Sequence, residues 1–375
     1  MVDVDWDYIY PGKKPVCMVG AGFQKAVLHE ELKLPSTEDI IEKTVESQGE
    51  QFPILSILFD KKISPRCDLN YIWKNINRLS SLLANYYSKI ELNYSLLNNK
   101  IIEVINYYKK CNQPPHTIIW VVLGLELKKM LAYQYNSTKI NGESSFKKCA
   151  IGNLKEIISK SEKITWISLN YDIVLEQMLV YAIYNQKKFN HSFGEVKYSF
   201  EQLFGNLNIV DFKHLIIKPH GSLNVVFKTE NQNSNDKIHS LCFKEDDDYF
   251  ATFDWNEFGY DKNNQNLEKR PWLIGYLPDE MKDELNSRAC FSDLAHDLCK
   301  WNMASTSFAL EYASSIFILG YSMPQEDEWI WARFRNIRKK NKNIFVASKC
   351  SSERIVKEFK RNGFENVNII NDGKI

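Results

Sequence analysis

KPVCMVGAGF, Lys14–Phe23, is a short apolar run that breaks off in Gly-Ala-Gly. The run has the composition of a buried strand. A glycine turn directly after a strand lets backbone N–H groups come close to a phosphate. It also serves as a plain tight turn. No third glycine follows at the dinucleotide spacing, because position 25 is Lys25. The rest of the chain has to weigh the two.

Downstream, strand-like and helix-like stretches alternate. KITWISL (163–169) reads as a strand and DIVLEQMLVYAIY (172–184) as a helix. KHLIIKPHGSLNVVF (213–227) reads as two strand-like runs around a turn, and RPWLIGYLP (270–278) as a short strand. A helix is expected over 292–313, then a strongly buried strand in SSIFILGYS (314–322). Helix 325–340, strand NIFVAS (343–348), helix 351–362 and strand VNIIN (367–371) complete the pattern. Such alternation predicts an α/β fold, a Rossmann-like parallel sheet with helices on both faces. Residues 14–36 and 160–375 form the expected core of a single domain spanning 1–375. Residues 37–159 read as a mainly helical subdomain: Ser36 is placed to cap a helix over 36–48, Ile72 to Ile90 recur at helical spacing, and the apolar stretch 117–135 fits strand or helix, with the shared face of Leu123, Leu127, Met130 and Leu131 favouring helix. Residues 229–266 are polar and Asn-rich and read as loops, within an insertion over 229–290.

Composition narrows the function classes. The 375 residues are 44% hydrophobic and 25% charged with net charge +1, which asks for neither nucleic acid nor an anionic membrane. The acidic, aromatic start MVDVDWDYIY is unlike a signal peptide, and TIIWVVLGLEL is too short to span a bilayer. The eight cysteines include no C-x-x-C pair and predict reduced thiols in a cytoplasmic protein. The basic run RFRNIRKKNK (333–342) reads as a solvated face rather than a nucleic-acid surface. His29, His116, His191, His214, His239 and His296 show no metal-ligand spacing.

Four loops are expected at the carboxyl ends of parallel strands, where open α/β sheets bind ligands. They are Gly20-Ala21-Gly22, Asn170-Tyr171-Asp172, His220-Gly221-Ser222 and Gly320-Tyr321-Ser322-Met323-Pro324. Each has a bland reading. The first is a tight turn, the second a helix cap, the third a hairpin turn and the fourth a strand end. Glu326 and Asp327 could line a pocket or start a helix.

In this order the loops resemble the sirtuin superfamily, specifically the SIR2-like domains of bacterial NAD-depleting defence proteins. That family carries G-A-G-x-S, T-Q-N-x-D, H-G and a late G-T/Y-S. Here they stand as GAGFQ, SLNYD, KPHGS and ILGYSMPQED. Gln24 replaces the serine of the first motif and Leu169 the glutamine of the second. The two C-x-x-C pairs that bind zinc in deacylases are absent after the His-Gly turn. Between that turn and the fourth motif stand only Cys242, Cys290 and Cys299, so no closed thiolate site is expected and no metal is assigned.

The resemblance implies NAD+ as substrate and a glycohydrolase that releases nicotinamide and ADP-ribose in antiphage defence. It implies Asn170 as the holder of a water or ribose hydroxyl, and His220 as general base, which suits an imidazole near neutral pH. It implies NAD contacts from Gly20, Ala21, Gly22, Phe23, Asp172, Gly221, Gly320, Ser322 and Asp327, with the Gly20 turn on the pyrophosphate. Gating by homo-oligomerisation or by a partner such as a HerA-type ATPase is the matching expectation. A non-catalytic NAD or ADP-ribose module and an NAD-dependent deacylase are the alternatives.

Overall fold

The computed structural model describes residues 14–32, 40–48, 52–60, 71–72, 75–87, 142–185, 196–200, 212–229, 239–243, 271–273, 292–324, 327–338, 340–349 and 351–370, with isolated positions between 34 and 140. The strand expected from the opening apolar run, β1 (Lys14–Val19), is buried along all but its first residue. That burial follows from its place. It pairs in parallel on one side with β2 (Ile164–Ser168) and on the other with β8 (Ala313–Leu319). Covered on both faces, β1 and β2 are buried from Val16 to Val19 and from Ile164 to Ser168, and the polar Thr165 and Ser168 are enclosed with their apolar neighbours.

In chain order, β1 leads into helix α1 (Ala21–Val27), followed by α2 (Ile40–Gln48), α3 (Pro53–Asp60), α4 (Ile76–Tyr87) and α5 (Lys148–Ser159). After β2 comes α6 (Val174–Gln177), which widens into a π-helical segment, Met178–Ile183. Strands β3 (Val196–Tyr198) and β4 (His214–Ile217) follow, then β5 (Gly221–Thr229), β6 (His239–Phe243) and β7 (Pro271–Leu273). Helix α7 (Ser292–Tyr312) leads to β8, and α8 (Glu328–Asn336), β9 (Asn343–Ala347), α9 (Ser352–Arg361) and β10 (Val367–Ile369) end the order.

Seven strands form one parallel sheet in the order β10-β9-β8-β1-β2-β4-β3. From β1 in the middle the chain lays down β2 beside it, β3 at the edge and β4 between them, then returns to the other side of β1 through β8. That reversal makes the β1/β8 boundary the topological switch point, where the following loops diverge and open a crevice. The fold class expected from the alternation is the one observed.

The period-two alternation of β1 divides the core. Cys17 and Val19 face one hydrophobic cluster, with Phe23 and Val27 of α1, Leu154 of α5 and Met178 of the π-helical segment. Val16 and Met18 face the other, with Leu310 of α7, Trp331 and Phe334 of α8 and Phe359 of α9. Two expectations change. Residues 148–159 belong with the sheet rather than with a separate helical layer, because Ala150, Ile151, Leu154 and Ile158 of α5 pack against it. The polar stretch 229–266, expected as loops, contains β6. It pairs antiparallel with β5, as β7 does, in a second three-stranded sheet. Pairing with β5 runs from His239 to Phe243, and the short apolar end Leu241–Phe243 is the one strand-like feature among polar flanks. The helix expected from 325 is seen as α8 and ends at Asn336, where Lys340 Nζ takes up the carbonyls of Phe334 and Arg335. The expected cap at Ser36 lies outside the described residues. Among the described residues, no helix is long and apolar enough to cross a membrane.

Candidate functional site

The first motif forms an interlock with the fourth. Gly20 N–H donates to Leu319 O, Gly22 N–H donates to Gly320 O at 2.7 Å, and Phe23 N–H donates back to Gly20 O. A Cβ on Gly20 would lie 2.7 Å from Tyr321 Cα, and one on Gly320 would lie 2.1 Å from Phe23 N. Gly320 also has φ +60°, the left-handed region. These glycines let two turns from opposite halves of the sheet touch backbone to backbone. The amides of Gly20, Gly22 and Phe23, offered by the sequence as phosphate donors, are engaged with protein carbonyls. Phe23 itself is buried in the core.

The second motif leaves β2 beside that interlock. Asn170 Nδ2 donates to Gly20 O at 3.0 Å. Donation fixes the amide's orientation, so Oδ1 is the end left to accept a hydrogen bond. Asp172 Oδ1 accepts the Val174 N–H at 3.0 Å and turns the chain into α6, so the bland cap reading applies to Asp172 and not to Asn170. Its other oxygen, Oδ2, is buried without a hydrogen-bond partner among the described residues. Burial pushes the Asp172 carboxyl up to about 6, against the pull of nearby Lys218 and the Val174 amide.

The third motif is a tight turn closed by Gly221 N–H donating to Lys218 O at 3.0 Å. Pro219 stands at its second position, where a fixed φ suits the turn, and His220 at its third. His220 Nδ1 lies 3.1 Å from Leu169 O. A carbonyl only accepts, so Nδ1 carries hydrogen and Nε2 holds the lone pair of the neutral ring. Nε2 faces Asp327 Oδ1 at 3.6 Å, and both side chains are fully buried. Tyr321 OH donates to the other oxygen of Asp327. Tyr171 and Trp329 flank the imidazole, with ring centroids 6.1 and 6.3 Å away. Burial and the Asp327 charge push the Tyr171 phenol up, so it stays protonated.

Gly20, Asn170, Asp172, His220, Gly221, Gly320 and Asp327 thus meet along the carboxyl edge of β1, β2, β4 and β8. Ser322 does not join them. Its side chain is exposed, and its carbonyl accepts from Arg354 of α9. Ala21 and Gly22 are half-buried at the start of α1. Gln24, standing where the resembled motif has serine, is buried with its Oε1 without a hydrogen-bond partner among the described residues.

Sequence reasoning missed a buried polar chain below this edge. Lys218 Nζ donates to Asp172 O at 2.6 Å and pairs with Glu176 Oε1 at 3.1 Å. Tyr198 OH also donates to Glu176, Asn224 Nδ2 donates to Tyr198 OH, and Ser222 Oγ donates to Asn224. Two signals were present: a lysine at the end of the apolar run HLIIK, and a glutamate inside the apolar helix VLEQMLV. A charge in such surroundings is kept only when paired.

Among the described residues, no cluster of three or more His, Cys, Asp or Glu is placed to hold a metal. Cys17 and Cys149 are free thiols. The chain matches no protein-family model and no curated protein.

Proposed function

We propose that the chain is an NAD+ glycohydrolase that cleaves the nicotinamide–ribose bond with water and depletes NAD in cytoplasmic antiphage defence. The observation that carries this reading is the linkage of Asn170, His220 and Asp327 at the switch point. Asn170 is tied to Gly20, His220 to the residue before Asn170, and Asp327 to His220.

Departure of nicotinamide from the ribose needs no acid, because the electron pair of the breaking bond neutralises the pyridinium nitrogen. Positive charge builds on the ribose as the bond lengthens. Asn170 Oδ1 is suited to hold the attacking water or a ribose hydroxyl without titrating. His220 Nε2 is suited to take the water's proton, and Asp327 would balance the imidazolium that results. Asp172 Oδ2, buried and unpartnered, is suited to the nicotinamide carboxamide. The first-turn amide left over by the glycine interlock, that of Ala21, is the donor the turn can offer a pyrophosphate.

His220 and Asp327 are 0% exposed. Substrate entry therefore requires the crevice to open, which accords with an activity gated by self-association or by a partner such as a HerA-type ATPase. The same enclosure favours one rival, a non-catalytic NAD or ADP-ribose module. Chromatography of NAD incubated with the protein separates the two. The glycohydrolase releases nicotinamide and ADP-ribose, and Asn170→Ala and His220→Ala each lower turnover by about 100-fold or more. Absence of turnover, with the protein concentrated and the candidate partner added, together with a melting temperature raised by NAD or ADP-ribose, favours the binding module instead.

A further inference from the structure

We infer that Lys218 is a positioning residue: its buried ammonium sets the Asn170–Asp172 loop against the His220 turn. Lys218 is 0% exposed, and its nitrogen sits between the carbonyl of Asp172 and the carboxylate of Glu176. Each partner belongs to a different part of the site. Asp172 ends the loop that presents Asn170, and Glu176 stands on the first turn of α6. Lys218 itself opens the turn that carries His220, two residues on. One side chain therefore spans the two segments whose relative placement the proposed reaction depends on.

A second link runs alongside it, Leu223 N–H donating to Tyr171 O at 3.1 Å. That bond fixes the loop to β5 but leaves the Asp172 carbonyl to Lys218. The carbonyl matters because Asp172 is turned by its own side chain into α6, so both ends of this one residue are held. Losing the ammonium frees the backbone end, and the loop shifts away from His220. A misplacement of this kind at a reacting centre costs rate rather than binding.

A merely structural alternative exists: Lys218 could serve only to neutralise Glu176. Two variants separate the readings. Lys218→Met leaves a buried carboxylate unpaired and should lower the melting temperature. Lys218→Met combined with Glu176→Gln removes both charges and should recover most of that loss. The positioning role predicts that the double variant keeps the kinetic defect, with kcat down about 100-fold and KM within about threefold of wild type. Recovery of kcat together with the melting temperature would overturn it.

The kinetic arm rests on the glycohydrolase reading, so a second arm is independent of it. Hydrogen exchange at Val174, whose amide is held by Asp172, should be about tenfold or more faster in the double variant, with the β1 amides unchanged. Exchange at Val174 equal to wild type overturns the positioning role. A wild-type protein that turns over no NAD removes the glycohydrolase reading alone and leaves exchange to decide.

Discussion

Gly320 cannot carry a Cβ: the atom would overlap Phe23 N, and the backbone lies in the left-handed region. Gly320→Ala should destabilise the protein by at least about 3 kcal/mol in denaturant unfolding, with the turns forced apart. Gly152 is the internal control. It lies in α5 with nothing within 4 Å of a built Cβ, so Gly152→Ala should stabilise by about 0.5–1 kcal/mol. The contrast shows what was legible in the residues. The Gly-Ala-Gly turn stood out in the sequence, and its place after a strand was right. Gly320 was singled out as well, but the backbone contact between the two turns was not visible, because they lie about three hundred residues apart. Asn170, Asp172, His220 and Asp327 were found as motifs. Lys218 and Glu176 were passed over because each looks like a stray charge until the other is seen beside it.

Elements obey simpler rules. Helix α9 places Ile355 and Phe359 on its buried side and its charges outside. Phe359 meets Phe334 edge-on at 4.8 Å, Phe364 at 5.4 Å and Trp331 at 5.2 Å between ring centroids. Phe359→Ala should cost about 3–5 kcal/mol, read from the shift in denaturant midpoint. Parallel strands were legible where burial on both faces gives a largely apolar run, as in β1, β2 and β8, and β3, only three residues long with Lys197 at its centre, was not. In the small antiparallel sheet β5 and β7 were legible as strand-like runs, and β6 was not, since it interrupts a polar, Asn-rich stretch and its pairing is set by β5. The boundary at α5 failed for a related reason. Amphipathic periodicity tells which face of a helix is buried, and it does not tell what covers that face.

At the scale of the whole molecule, two buried groups set opposing pH dependences. His214 accepts from Trp166 Nε1 on Nδ1 at 2.9 Å and meets Tyr184 OH with Nε2 at 2.6 Å. Burial first, then the Lys213 charge, lowers its pKa to about 3. Its contribution to stability is full above about pH 6.5 and is lost as pH falls toward 3. Asp172 is raised, so the folded state holds its proton longer than the unfolded chain. Its contribution is full below about pH 4 and is lost as pH rises through about 6. Between about pH 4 and 6 the two slopes cancel, each about 1.4 kcal/mol per pH unit. Asp172→Asn should therefore uncover a loss of stability on acidification through that window. His214→Gln, which preserves an acceptor for Trp166 and a donor for Tyr184, should uncover a gain. Melting temperatures across the window check both signs.

The central pairing of β1 with β8 sets Val16 beside Ile316, about three hundred residues later in the chain. During synthesis one edge of β1 must wait, unpaired, until about three hundred further residues have left the ribosome. Such distant partners fold slowly, and a waiting apolar strand is open to the wrong neighbour. A chain ended before Ala313 should accordingly collect in the insoluble fraction when expressed, and supplying residues 313–375 as a separate fragment should draw part of it back into solution.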